Sequence, residues 1–142
     1  TPQPKPMTIP YRINKIKTSQ FAIFPDKFVN GEDVCLGANF KFAVNKDLTS
    51  ILCSTNITYS QHETLLLTTE IQCFFGISPE GVETLKQESR ISVDFLRYMA
   101  TIVTGTARGI IHAKTENTVL SSQVLQPINL VELIKNDFII KL

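Results

Sequence analysis

Apolar and polar residues alternate along much of the first half of the chain. In "GANFKFAV", Phe40, Phe42 and Val44 alternate with Asn39, Lys41 and Ala43, which is the two-residue period of a strand. Strands are expected over about 11–24, about 36–45, about 49–60 and about 64–77. Pro25-Asp26 closes the first, and "NKD" at 45–47 reads as a hairpin turn between the second and third. In the third, Ile51, Cys53, Thr55, Ile57 and Tyr59 share a face. In the fourth, Leu65, Leu67, Ile71, Cys73, Phe75 and Ile77 share one, while Glu70 and Gln72 lie opposite with Leu66 and Phe74. Apolar side chains therefore occur on both sides of parts of this sheet. A sheet with one wet face should be more polar, so a partner or ligand is expected to cover the second face. Pro79-Glu80-Gly81 ends the fourth strand as a turn.

The period then lengthens. Phe95, Leu96, Met99, Ile102, Val103 and Ile110 recur at helical spacing within a helix of about 92–115, on a stripe of roughly 120°. Beside that stripe runs a second strip of Tyr98, Thr101, Gly105 and Gly109. A glycine inside a helix costs about 1 kcal/mol relative to alanine, so two of them need a reason. One is a kink or helix end at Gly105; the other is a close helix–helix crossing, between subunits for instance. Residues 118–127 read as an extended crossing loop, and a last helix is expected over about 130–138. Asn129 suits its N-cap and Glu132 the third helical position, approximating a capping box. Ile128 and Leu133 fall where a hydrophobic staple would form.

Composition narrows the function classes. The 142 residues suffice for one domain, 11–142, behind a flexible proline-rich tail, 1–10, that carries Pro2, Pro4, Pro6 and Pro10. The formal net charge of +1 gives no basic stripe for nucleic acid. No apolar run approaches the about 20 residues that span a bilayer, and there is no signal-peptide h-region. Cys35, Cys53 and Cys73 have no metal-ligand spacing and read as reduced, mostly buried thiols of a cytoplasmic protein. Asn56-Ile57-Thr58 matches a glycosylation sequon, with nothing else pointing to secretion. His62 and His112 lack a ligand partner one helical turn away, and no nucleophile elbow, P-loop or dinucleotide fingerprint occurs. Asp94 and Glu132 suit helix first turns. The expectation is an α+β protein that is not an enzyme and uses no cofactor or metal.

The element order, read together with "LQPINLVELI", resembles the SecB family of protein-export chaperones. That family carries a Pro-(Ile/Val)-Asn-(Phe/Leu) motif at the entry to its last helix, matched here by Pro127, Ile128, Asn129 and Leu130. "FFGI", Phe74 to Ile77, is similar to the end of the family's fourth strand. "FLRYM", Phe95 to Met99, is similar to the aromatic-rich start of its long helix, without the proline usual there. The resemblance implies four antiparallel strands, a long helix, an extended crossing loop and a short last helix. It also implies an ATP-independent holdase that assembles as a homotetramer, a dimer of dimers, with Tyr98, Thr101, Gly105 and Gly109 at the helix interface. Unfolded or nascent polypeptides would lie in apolar grooves, for which Phe40, Phe42, Phe74, Val124, Leu125, Ile128 and Leu130 are the candidates, Phe74 and Leu125 foremost. Family members meet the SecA motor through an acidic patch and a C-terminal tail. The near-neutral charge, the end "NDFIIKL" and Phe24-Pro25 at the close of the first strand depart from that pattern, so docking to SecA does not carry over. Two further readings stand beside this one. One is a carrier whose sheet grips a helix around a small apolar ligand; the other is a structural oligomerisation domain.

Overall fold

The computed structural model describes residues 9–141, so most of the expected tail lies outside the described residues. Four strands, β1 (Tyr11–Ile23), β2 (Cys35–Val44), β3 (Ser50–Gln61) and β4 (Thr64–Ile77), form one antiparallel sheet in the order β1-β4-β3-β2. The register sets Phe42 against Cys53 and Cys53 against Cys73, so like faces align across the sheet. Ile51, Ile57, Ile71 and Phe75 are fully buried on the inner face. The hairpin turn between β3 and β4 rests on His62 and Glu63, both left-handed at φ 48° and 67°. That is the twist a two-residue hairpin needs, met here without the usual Asn-Gly.

Helix α1 (Pro79–Glu88) follows β4 directly, where the sequence reading had only a turn. Its start is well signed: Ser78 Oγ accepts the Gly81 N–H at 3.2 Å, and Pro79 stands first in the helix. Gly81 has a packing reason, since a Cβ there would stand 2.5 Å from Ile9 Cγ2 and 2.6 Å from Ile77 Cγ2. The buried Ile9 thus pins the chain beside α1 just before β1 begins. Helix α2 (Val93–Thr115) is capped by Ser92 and crosses the inner face over β3 and β4. It buries Phe95, Leu96, Met99, Val103, Ala107 and Ile111. The expected stripe is therefore rotated slightly, with Ile102 and Ile110 at its half-buried margin.

After α2 a 3-10 turn (Val119–Ser122) interrupts the expected extended loop and buries Leu120. The last helix is one turn long, α3 (Leu130–Leu133), not the longer helix to 138 that the sequence suggests. The Asn129 side chain caps it by accepting the Glu132 N–H at 3.4 Å, one half of the expected capping box. Its early end has a tertiary cause. Asp137 Oδ1 accepts the Val93 N–H at 2.7 Å and Oδ2 meets Arg90 Nη1 at 3.1 Å. This draws residues 138–139 out as strand β6 (Phe138–Ile139), paired with β5 (Arg90–Ile91).

The second face of the sheet is less apolar than the alternation implied. Phe74 lies there, half-buried, with Lys15 Nζ 5.6 Å from its ring centre. Around it β1, β3 and β4 present Lys17, Ser54, Asn56, Thr58, Glu70 and Gln72. Asn56 of the sequon is thus in the middle of a central strand. Leu66 is fully buried, and the turn Pro25–Lys27 packs against β4, with the Phe24 N–H donating to Leu66 O at 2.8 Å. The chain itself covers this end of the sheet. Gln61 ties the following loop down through Val29 and Glu32.

Of the three thiols, Cys53 and Cys73 are buried and face each other, while Cys35 is exposed. Burial pushes both inner thiols up, Cys53 well above the ordinary range. The Tyr59 hydroxyl is buried and has no hydrogen-bond partner among the described residues. Because an unsatisfied buried polar atom costs about 1–3 kcal/mol, Tyr59→Phe is expected to stabilise the fold, read as a raised urea midpoint at unchanged slope.

Candidate binding groove

Helix α2 lies over β3 and β4, so β2 extends past it at the sheet's edge. The inner-face side chains of β2 then meet the C-terminal segment as well as the start of the helix. Phe40 and Phe42 stand with Leu96, Leu133, Ile134 and Phe138 around a cavity of about 250 Å³. Phe42 and Phe138 are shared with an adjoining open groove of about 730 Å³, whose walls include Val44, Leu48, Ile139 and Ile140. Binding clefts for small and medium ligands run about 300–1,000 Å³. Leu133 is 49% exposed and Ile139 is 66% exposed, so the groove offers apolar surface to solvent.

Two arginines of α2 hold the far wall. Arg97 Nε donates to Ile134 O at 2.9 Å, and Arg108 Nε donates to Leu125 O at 2.7 Å. Residues eleven apart return to nearly the same helix face after three turns, so both guanidinium groups reach the returning chain. Ile134 is buried and carries the groove wall with it. The Asp137 contacts to Arg90 and Val93 fix the segment beyond.

The candidates from the sequence separate into groups. Phe40 and Phe42 come together at the groove. Phe74 sits on the opposite face of the sheet and does not join them. Val124 is 52% exposed on the crossing segment. Leu125 is buried in the core as an anchor for that segment, a correction to its place as a foremost groove residue. Ile128 and Leu130 are half-buried and pack against the core. Leu133, Phe138, Ile139 and Ile140 line the groove, and the sequence reading passed them over. The apolar run "FII" at 138–140 was the available signal, hidden by placing it at the end of a helix.

The strip on α2 lies on a separate surface. Tyr98 and Thr101 are exposed, and a Cβ built at Gly105 or at Gly109 would meet nothing within 4 Å. Helix α2 continues through both glycines, so the reading of a helix end at Gly105 falls. Next to the strip, the Tyr11 hydroxyl donates to the Tyr98 hydroxyl at 3.0 Å, and that bond, with burial, pushes Tyr11 up to about 12. Ile13 and Ile16 of β1 are also exposed. Among the described residues, no group of three His, Cys, Asp or Glu side chains could hold a metal, and no helix is long and apolar enough to cross a membrane.

Neither a protein-family model nor a curated protein sequence matches the chain. Its fold matches that of a SecB-like chaperone of Mycobacterium tuberculosis, solved in complex with a ChAD peptide from an antitoxin, with a TM-score of 0.51 and 13% identity over 83% of this chain and 90% of that one. Sheet, long helix and short last helix, arranged as described, therefore make this an α+β protein of SecB-like fold.

Proposed function

We propose that this protein is a chaperone of the holdase type, binding unfolded or nascent polypeptide segments in the groove between β2 and the C-terminal segment. The observation that carries the reading is an open apolar groove on a SecB-like fold. An unfolded chain offers apolar side chains and free backbone groups together, and such a groove can take many sequences at modest affinity. No nucleotide, cofactor or catalytic step is needed. An assembly of several copies, a tetramer in this reading, multiplies the grip through effective concentration. The cytoplasm, where nascent chains are exposed, is the compartment that suits this role.

The test is the aggregation of a chemically denatured protein diluted into buffer without ATP. Stoichiometric amounts of the chain are expected to delay the rise in light scattering. An oligomer that leaves the aggregation rate unchanged would point to a structural oligomerisation domain, and a monomer that binds small apolar molecules would point to a carrier.

The glycine strip supports a helix interface between subunits, because its two open positions let a second backbone approach closely. Gly105→Leu with Gly109→Leu is expected to lower the assembly's mass by half or more in light scattering. The same pair should raise the melting temperature of the separated unit, since each glycine costs a helix interior about 1 kcal/mol and a Cβ at either position meets nothing within 4 Å. Unchanged mass would remove the strip as an interface.

A further inference from the structure

We propose that Leu48 is a strained plug of the groove, held in place by the chain itself and displaced when an apolar side chain of a bound polypeptide enters. This adds a regulation to the groove's reading as a polypeptide site and rests on that reading. The hairpin from β2 to β3 turns through Asn45, Lys46, Asp47 and Leu48, and the Leu48 N–H donates to Asn45 O at 3.1 Å. Leu48 is left-handed, at φ 61°. Hairpin loops of this kind often end on a left-handed residue, a place that glycine fills without steric cost. The turn thus accounts for the backbone at position 48 but not for a leucine there. The other non-glycine residues of positive φ among those described, His62, Glu63 and Ser89, are polar, and none is buried.

Burial is what keeps the leucine in this conformation. Leu48 is 2% exposed and lines the larger cavity beside Phe42, Val44, Phe138 and Ile140. Left-handed backbone disfavours a non-glycine residue by roughly 5- to 30-fold in an equilibrium constant. Burying a leucine side chain favours the closed arrangement by roughly 10- to 150-fold. The two effects oppose each other at similar size, so a small margin holds the plug in. Strain of this kind is stored at ligand clamps and switches.

The frame around the plug is fixed. The Asn45 N–H donates to Ser50 O at 3.1 Å, the Ser50 N–H to Asn45 Oδ1 at 2.9 Å, and Asn45 Nδ2 to Thr49 Oγ1 at 2.8 Å. Between these anchors Lys46 and Asp47 are exposed, and among the described residues neither side chain has a hydrogen bond or an ion pair. A turn of Leu48 to negative φ, compensated at 46 and 47, swings one side chain out of the cavity and keeps β2 and β3 in register. It gives up one backbone bond, from the Leu48 N–H to Asn45 O. The space left is walled by aliphatic and aromatic side chains, so the entering group is of the same class.

The experiment uses the full chain and fluorescein-labelled, reduced and carboxymethylated α-lactalbumin, which stays unfolded in buffer. Binding is read by anisotropy. Leu48→Gly removes plug and strain together and is expected to bind about fivefold more tightly. Leu48→Ile keeps the apolar bulk, but branching at Cβ makes left-handed backbone costlier, so it too is expected to bind more tightly than the parent. A fixed apolar wall predicts weaker binding for glycine. Residue-resolved amide exchange on the unsubstituted chain needs no variant. With the probe bound, the Leu48 amide is expected to exchange about fivefold faster, while those of Asn45 and Ser50 stay as slow as before. Equal or weaker binding by either variant, or a Leu48 amide no faster in the complex, would overturn the proposal and leave the chaperone reading intact. If Leu48→Gly does not fold, amide exchange in the parent decides. A parent that neither binds the probe nor delays aggregation would sink the chaperone reading, and the plug with it.

Discussion

Leu133→Ser combined with Ile139→Ser is expected to remove most of the chain's ability to hold unfolded polypeptide while leaving its folded stability almost unchanged. Both side chains are largely exposed in the free protein, so neither contributes much to the fold. A bound segment would cover them. Burying a fully exposed aliphatic side chain of this size stabilises by about 1.5–3 kcal/mol; with Leu133 49% and Ile139 66% exposed, covering what remains of both corresponds to at least about tenfold in affinity. The measurement is the amount of protein that halves the aggregation rate, taken beside a thermal melt. The double variant should need at least about ten times more protein, with its melting temperature shifted by no more than about 2 °C, as for surface substitutions. Phe42→Ala makes the contrast. Phe42 also packs against the core, so its loss should reduce both binding and stability. If the serine pair holds a denatured protein as well as the parent does, the groove is not the binding surface.

The strands were legible because a sheet with one buried face writes a period of two, and all four ended within about a residue of the expected limits. Helix α2 was legible for the same kind of reason, with its period of 3.6 set by the core beneath it. Helix α1 was missed although Ser78 and Pro79 announce its start. It buries just Gly81 and Leu85, so it writes almost no apolar stripe, and "PEG" alone resembles a turn. The C-terminal segment misled for a different reason. Nothing local in "LVELIKNDFII" says that α3 stops after a turn. What stops it are Arg97, holding Ile134 O, and Asp137, reaching Val93. Those partners lie some 40 residues away in sequence, and no periodicity records them. The site shares this limit. Strand alternation fixes the direction of Phe40 and Phe42, and both line the groove. An irregular crossing segment has no period, so that Leu125 and Val124 looked alike in the sequence and part company in the structure, one buried and one exposed.

Arg97→Met with Arg108→Met is expected to release the crossing segment, residues 116–137, while the sheet stays folded. Each arginine supplies a hydrogen bond from a charged donor to a carbonyl of that segment. Such bonds contribute about 1.5–3 kcal/mol each, and the two lie about 16 Å apart along α2 by the helix rise. At that separation their effects should add, giving about 3–6 kcal/mol against a typical domain stability of about 5–15 kcal/mol. Methionine keeps much of the apolar stem of each side chain and removes the donors. The loss should fall on the segment first. Limited proteolysis is expected to cut between residues 116 and 137 in the double variant and to spare β1 to β4. Amide exchange should quicken across α3 and β6 and stay slow in β3 and β4. If the whole chain instead melts as one unit, the segment belongs to the core and does not move separately. If exchange in α3 is unchanged, the buried Leu120, Leu125 and Ile134 suffice to hold it. The expected outcome has a consequence for binding. The groove's outer wall is α3 and β6, so a wall loosened in this way should hold polypeptide less well even with Leu133 and Ile139 intact. An effect on both exchange and aggregation delay would tie the groove to the two arginines that position it.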